Sequence, residues 1–320
     1  MLKRYTYSII VAVTVLASAC SKETGMQDCI AFDVSVPSVK TLLDQNNITG
    51  ERIVIYDVHN KNGGVNATAS PELELYLNGH EVVYDNAWKF VDKTNSSAYV
   101  EIPWTRNGTH NFFAYNAAPD GVVVSHSGIG ATEYDQTLNI SDLDFRTHQY
   151  DMIYACTTRD VRAQGTGLVT LDFKHAFSSI VFLVRNISSE DKTVTSFNVN
   201  GIVHKADIVV DFASRSQSVS DAAVNSSVFT FSGSNIIAKG KEMDIFGSKL
   251  IWPQNLAEDA DITMTYDGGT VGMKFIERFG IKVWEPGKRY IYRISIADDK
   301  VILDAVDVVD WITNDVILED

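Results

Sequence analysis

Residues 169–186 read VTLDFKHAFSSIVFLVRN, and this stretch decides the class of fold. Val169, Leu171 and Phe173 are apolar and alternate with Thr170 and Asp172, the period of a strand with one face in a core and the other in water. The alternation fails at Lys174-His175, which predicts a bend or corner where His175 bonds backbone groups in a structural rather than catalytic role. A second apolar strand follows, ending near Asn186.

The same period recurs along the chain. Ile30, Phe32, Val34 and Val36 alternate with Ala31, Asp33 and Ser35; Leu73, Leu75 and Leu77 alternate with Glu72, Glu74 and Tyr76. Tyr290, Tyr292, Ile294 and Ile296 repeat the pattern, with Ile291 and Arg293 on the opposite face. Turn signals punctuate these runs at Asn62–Gly64, Asn78-Gly79, Asn107-Gly108, Pro119-Asp120-Gly121, Asp267-Gly268-Gly269 and Pro286-Gly287. One short helix is predicted, Val39 to Gln45, capped by Ser38 after Pro37. The chain therefore reads as all-β. Its 320 residues exceed one small sandwich, so two sandwich domains, 20–160 and 161–320, are expected. The seam is placed in the polar stretch CTTRDVRAQGTG, residues 156–167, between a strand ending at Ala155 and one starting near Leu168.

The first nineteen residues read as an export signal. Lys3 and Arg4 give a positive start, Ile9 to Ala19 form an apolar run of eleven residues, and Ala17, Ser18 and Ala19 are small. That run is well short of the ~20 residues that cross a bilayer. A cysteine directly after small residues resembles the lipobox of bacterial lipoproteins, although Leu16 lies four positions before Cys20 where the usual pattern has leucine at three. The resemblance implies that residues 1–19 are removed and that Cys20 is acylated. Cleavage after Ala19 without lipidation is the alternative. Cys29 and Cys156 show no metal-type spacing and read as two small apolar side chains rather than an obligatory bridge.

The formal charge of −14 grows two units more negative once Lys3 and Arg4 leave. Such an acidic chain is unsuited to nucleic acid, which needs clustered Lys and Arg. Seven Asn-x-Ser/Thr triplets read as turn and strand-edge composition in a bacterial chain. The seven histidines stand singly, with no His-x-His or His-Glu-x-x-His, so no metal site and no cofactor are expected. Ser125-His126-Ser127 lacks a nucleophile elbow, Gly280 to Lys288 lacks phosphate-loop spacing and reads as a hairpin, and Asp304, Asp307 and Asp310 are spaced by three, which on a strand does not line one face. No catalytic residue is nominated. Trp88, Trp104, Trp252, Trp284 and Trp311 are available for sugar stacking, but aromatics in sandwiches more often fill cores.

Five segments in order resemble the fimbrillin family, the lipoprotein subunits and accessory proteins of bacterial type V pili: FFAYNAAPDG (112–121), YDMIYACTT (150–158), residues 169–186, LIWPQNL (250–256) and VWEPGKRYIYRISI (283–296). The resemblance implies two tandem transthyretin-like Greek-key β-sandwiches at the outer membrane and in the fimbrium. It also implies assembly by strand exchange, in which a protease cuts after an N-terminal arginine, the first strand leaves, and a strand from another subunit refills the groove. Mapped here, the removable strand is Ile30, Phe32, Val34 and Val36, and the cut follows Arg52, the first arginine after Cys20, behind the polar run Asn47 to Glu51. Arg52 as an ordinary loop residue is the rival reading. The short tail after Trp311 favours a tip, anchor or minor subunit over a main stalk subunit. Implied partners are other fimbrial subunits, the outer membrane through the lipid anchor, and host or bacterial surface ligands. The alternative function is a non-polymerising outer-membrane lipoprotein that binds glycan or protein; an enzyme ranks last.

Overall fold

The computed structural model of this chain describes residues 28–35, 52–64, 67–120, 122–127, 137–212, 216–225 and 227–310. The strands of the first half are β1 (Phe32–Ser35), β2 (Arg52–Asn60), β3 (Leu73–Tyr84), β4 (Trp88–Val91), β5 (Tyr99–Val100), β6 (Thr109–Asn116), β7 (Val123–Ser127), β8 (Thr137–Asp144) and β9 (Ile153–Asp160). A one-turn helix, α1 (Val161–Gln164), leads to β10 (Val169–Asp172), β11 (Lys174–His175), β12 (Ser178–Asn186), β13 (Lys192–Asn200), β14 (Ile202–Asp211), β15 (Ser216–Asn225) and β16 (Phe229–Ile237). The last part holds β17 (Glu242–Asp244), β18 (Lys249–Ile251), β19 (Gln254–Asn255), β20 (Asp261–Tyr266), β21 (Gly269–Lys274), a π-helical turn Phe275–Phe279, β22 (Val283–Trp284), β23 (Lys288–Ile296) and β24 (Val301–Asp310). The fold is all-β, and no helix among the described residues is long and apolar enough to cross a membrane.

A seven-stranded sheet in the order β11-β9-β6-β2-β3-β4-β5 organises the first half. One face carries Ile53, Ile55, Leu77, Val82, Phe112, Ala114 and Ile153, packed under Ile30, Phe32, Val34, Trp104, Val169, Leu171 and Phe173. The strands follow alternation, as the buried positions of β10 (Val169, Leu171) illustrate. Asn78-Gly79 is not a turn but a bulge inside β3, where Asp57 pairs with Leu77 and Ile55 with His80. Gly79 takes φ of 59° there, and a Cβ would lie 2.9 Å from the Tyr56 hydroxyl, so this bulge requires glycine.

The other face of the same sheet is covered by a four-stranded sheet, β15-β14-β8-β7, with Phe113 and Phe212 rings 5.3 Å apart across the interface. Beyond it, β12, β17, β18, β23 and β24 face β16-β13-β20-β21, and Phe182 of β12 meets Phe197 of β13 at 5.3 Å. A continuous apolar core runs from Val58, Phe113 and Tyr154 through Phe177 and Trp252 to Ile262 and Tyr292.

Strand pairing crosses residue 160 in both directions: β10 pairs with β1, and β8 pairs with β14. The strand expected to end at Ala155 continues to Asp160, whose side chain caps α1 by accepting from the Arg162 and Ala163 N–H groups at 3.0 and 3.1 Å. Pro286-Gly287 turns the chain but makes no hairpin, because β22 pairs with β19 rather than β23. His175 does mark a corner between β10 and β12, yet its ring bonds the Asp151 side chain at 2.8 Å instead of backbone. A register shift in the β23–β24 pairing brings Asp304 and Asp307 to one face after all, against Ser295 and Arg293. The bulged residue there adds one position to the spacing, which converts three into an effective two. Trp104, Trp252 and Trp284 are fully buried and Trp88 half-buried; Trp311 and the predicted helix at Val39 to Gln45 lie outside the described residues.

Candidate functional site

The sequence-nominated strand residues that the structure describes gather in the layer that holds β1. Over the inner face of the seven-stranded sheet lies a layer of three chain segments, with residues 28–35 in the middle. On one side Trp104 N–H donates to the Asp28 carbonyl at 2.8 Å, Ile30 N–H donates to the Ile102 carbonyl at 2.7 Å, and Cys29 bridges Pro103. On the other, Val169 N–H donates to the Ala31 carbonyl at 2.9 Å, and β1 runs parallel to β10 with Phe32 opposite Val169 and Val34 opposite Leu171. Successive residues of an extended chain direct their backbone groups to opposite sides, which is how one segment serves both neighbours.

Side chains follow the same alternation. Ile30, Phe32 and Val34 point into the core, each no more than 6 % exposed, while Asp33 faces solvent. The Phe32 ring sits edge-on to Phe90 at 5.5 Å and to Phe112 at 5.6 Å. Val36 and Cys20 lie outside the described residues. Cys29 and Cys156 are both half-buried and form no disulfide among the described residues, and the Cys29 thiol lies 3.7 Å from a Glu101 carboxylate oxygen.

The wall formed by residues 101–108 is backed by a buried polar cluster on the sheet beneath. His110 Nδ1–H donates to Asp57, and His110 Nε2 lies 2.7 Å from the Thr105 hydroxyl. His59, stacked on His110 at 4.4 Å, contacts a Glu74 carboxylate oxygen through Nδ1 and the Asn107 carbonyl through Nε2, both at 2.8 Å. Burial pushes the Asp57 carboxyl up, and the bond from His110 offsets part of that rise. Glu74 is also raised by its partial desolvation, but the bonds from His59 and Lys61 outweigh this and hold it below the usual range. Reading histidines one by one along the sequence missed this cluster, because β2–β6 pairing of His59 with His110 is what brings the rings together.

Arg52 stands at the first position of β2 with its side chain 47 % exposed and ion-paired to Glu81. Its carbonyl accepts from Ala117 N–H at 2.8 Å, and Ile53 is fully buried. The Arg52–Ile53 peptide is thus already in the sheet, so a protease would need the first β2 residue unpaired; Asn47 to Glu51 lie outside the described residues.

Residues 41–311 match the fimbrillin-like family. The chain belongs to that family. Among solved structures, this fimbrillin-like chain is similar to a candidate cell adhesion protein from Bacteroides ovatus, with 18% identity and a TM-score of 0.55 over 91% of this chain and 100% of the other. A fimbrial protein from Bacteroides vulgatus gives 13% identity and a TM-score of 0.53 over 88% and 99%. A candidate cell adhesion protein from Bacteroides uniformis gives 15% and 0.51 over 88% and 99%. At these identities the likeness is one of fold. A search of curated proteins finds no match.

Proposed function

We propose that the chain is a structural or adhesive subunit of a bacterial surface fimbria, exported as a lipoprotein and joined to its neighbours by β-strand exchange. Acylated Cys20 holds it at the outer membrane, and it occupies a tip, anchor or minor position rather than the main stalk. Its partners are other fimbrial subunits, with host or bacterial surface ligands beyond them, and its role is structural, not catalytic. It is built as two sandwich units, 20–160 and 161–320, that share strands across their boundary.

The observation that carries this reading is the construction of the β1 layer. A single short segment fills the middle of it, bonded by its backbone to 101–104 and to β10, with three apolar side chains in the core. Withdrawing those side chains would expose surface amounting to roughly 5–9 kcal/mol at 1.5–3 per side chain, so the emptied slot would be driven to refill. An entering strand would gain main-chain bonds on both sides and pockets for alternate side chains, the β-augmentation mode. Cleavage after Arg52 would free the segment, provided the start of β2 opens.

The test has two parts. N-terminal sequencing of protein from the cell surface is expected to find Ile53 as the first residue of the processed form; a terminus at acylated Cys20 alone excludes processing. A chain lacking residues 1–52 is expected to self-associate or to capture a synthetic peptide of residues 28–36. If it stays a folded monomer indifferent to that peptide, strand exchange is refuted and the non-polymerising glycan- or protein-binding lipoprotein takes its place.

A further inference from the structure

We infer that the paired lines Asp57–His110–Thr105 and Glu74–His59–Asn107 form a clamp that sets how firmly the slot grips the strand inside it. The wall, residues 101–108, pairs with the β1 segment on one side, while among the described residues no strand pairs with its far side. Pro103 has no N–H to offer a neighbour in any case. The wall is instead hung from the sheet by side chains. Tyr76 O–H donates to the Pro103 carbonyl at 2.6 Å, His59 bonds the Asn107 carbonyl at 2.8 Å, and Thr105 joins His110 at 2.7 Å. Trp104, fully buried, stands edge-on to the His110 ring at 5.1 Å.

Behind each histidine a carboxylate fixes the ring. Asp57 receives His110, and Glu74 receives His59 while Lys61 meets Glu74 at 3.0 Å. His59 Nε2 also lies 3.2 Å from the Thr105 hydroxyl, so the two lines meet at the wall. Apolar packing alone would let the wall slide along the sheet, whereas directional bonds at 103, 105 and 107 hold it at one register. That register places the Ile102 carbonyl and the Trp104 N–H where β1 needs them. A buried donor or acceptor left without its partner loses far more than the bond itself, so each line acts only as a whole.

This inference deepens the strand-slot reading and rests on β1 as the occupant, but it requires no partner strand. Amide hydrogen exchange on the full chain at neutral pH tests it. Thr105→Val removes, at nearly constant shape, a hydroxyl that donates to the Asn107 carbonyl at 2.9 Å and contacts both histidine rings, and is expected to speed exchange at 28–35 and 101–108 about tenfold or more, with β12 unchanged. Thr105→Ser is expected to restore protection, and His148→Gln, exposed after β8 and away from the clamp, to leave it alone. Glu74→Gln gives the same local pattern at smaller size and serves should Thr105→Val fail to fold. Unchanged protection at 28–35, or an equal loss in β12, overturns the clamp. Should the local effect appear while peptide capture fails, the clamp stands and strand exchange falls.

Discussion

Trp284 and Tyr292 are both fully buried, and the indole N–H donates to the phenol oxygen at 2.8 Å. Burial pushes the Tyr292 phenol well above its ordinary range, so this oxygen stays protonated and is available to accept. Tyr292→Phe leaves the indole N–H without its partner and is expected to cost about 1–3 kcal/mol in denaturant unfolding, at unchanged far-ultraviolet signal. Trp284→Phe in the same background should cost less than it does alone; additive effects would show that the two groups are not coupled. The shared face of Tyr290 and Tyr292 is readable from VWEPGKRYIYRISI, because period two needs only the local sequence. The hydroxyl–indole bond is not, since it depends on β22 leaving its neighbour to pair with β19.

At the scale of elements, Asp144 clasps the end of β8 to β14. Partial desolvation by itself would raise its carboxyl, but bonds from the Arg146 side chain and backbone, and from His204, hold it well below the usual carboxylate range. A carboxyl depressed in the folded state stabilises above its unfolded pKa and ceases to do so as pH falls through the folded one. Asp144→Asn is therefore expected to cost about 1–2 kcal/mol at pH 7, with the gap to wild type shrinking below about pH 4 in urea titrations. A gap constant from pH 7 to pH 2.5 would contradict this. Strands were legible where one face meets water, as in Ile30 to Val34 and Val169 to Phe173. Their partners were not: nothing local in LDF or FDV says that the two lie side by side and parallel, and nothing in Thr137–Asp144 says that it joins Ile202–Asp211. Glycines misled for a related reason, since Asn78-Gly79 satisfies a bulge as well as a turn.

For the whole molecule, the apolar run ahead of Cys20 predicts partition into the membrane fraction. Cys20→Ala is expected to shift the protein to the soluble fraction in detergent phase separation, and retention with membranes would refute acylation at that residue. Family membership was legible from five short segments in order, and each falls on buried strand positions or the turn beside them. The pairing of residues on either side of 160 was hidden, because length and polarity speak for a division but not for which strands cross it. The parallel pairing of β1 with β10 has a consequence for biogenesis. Phe32 meets Val169, so the first of the described strands gains its neighbour at 101–104 early, while its parallel mate lies more than a hundred residues further along the chain. Until that mate is made one edge of the segment is open, the condition in which edge-to-edge aggregation is a hazard, and Asp33 at the centre of β1 is a charge of the kind that guards such edges. Closure of this layer is then a late, long-range event, which makes slow folding the rule for this chain.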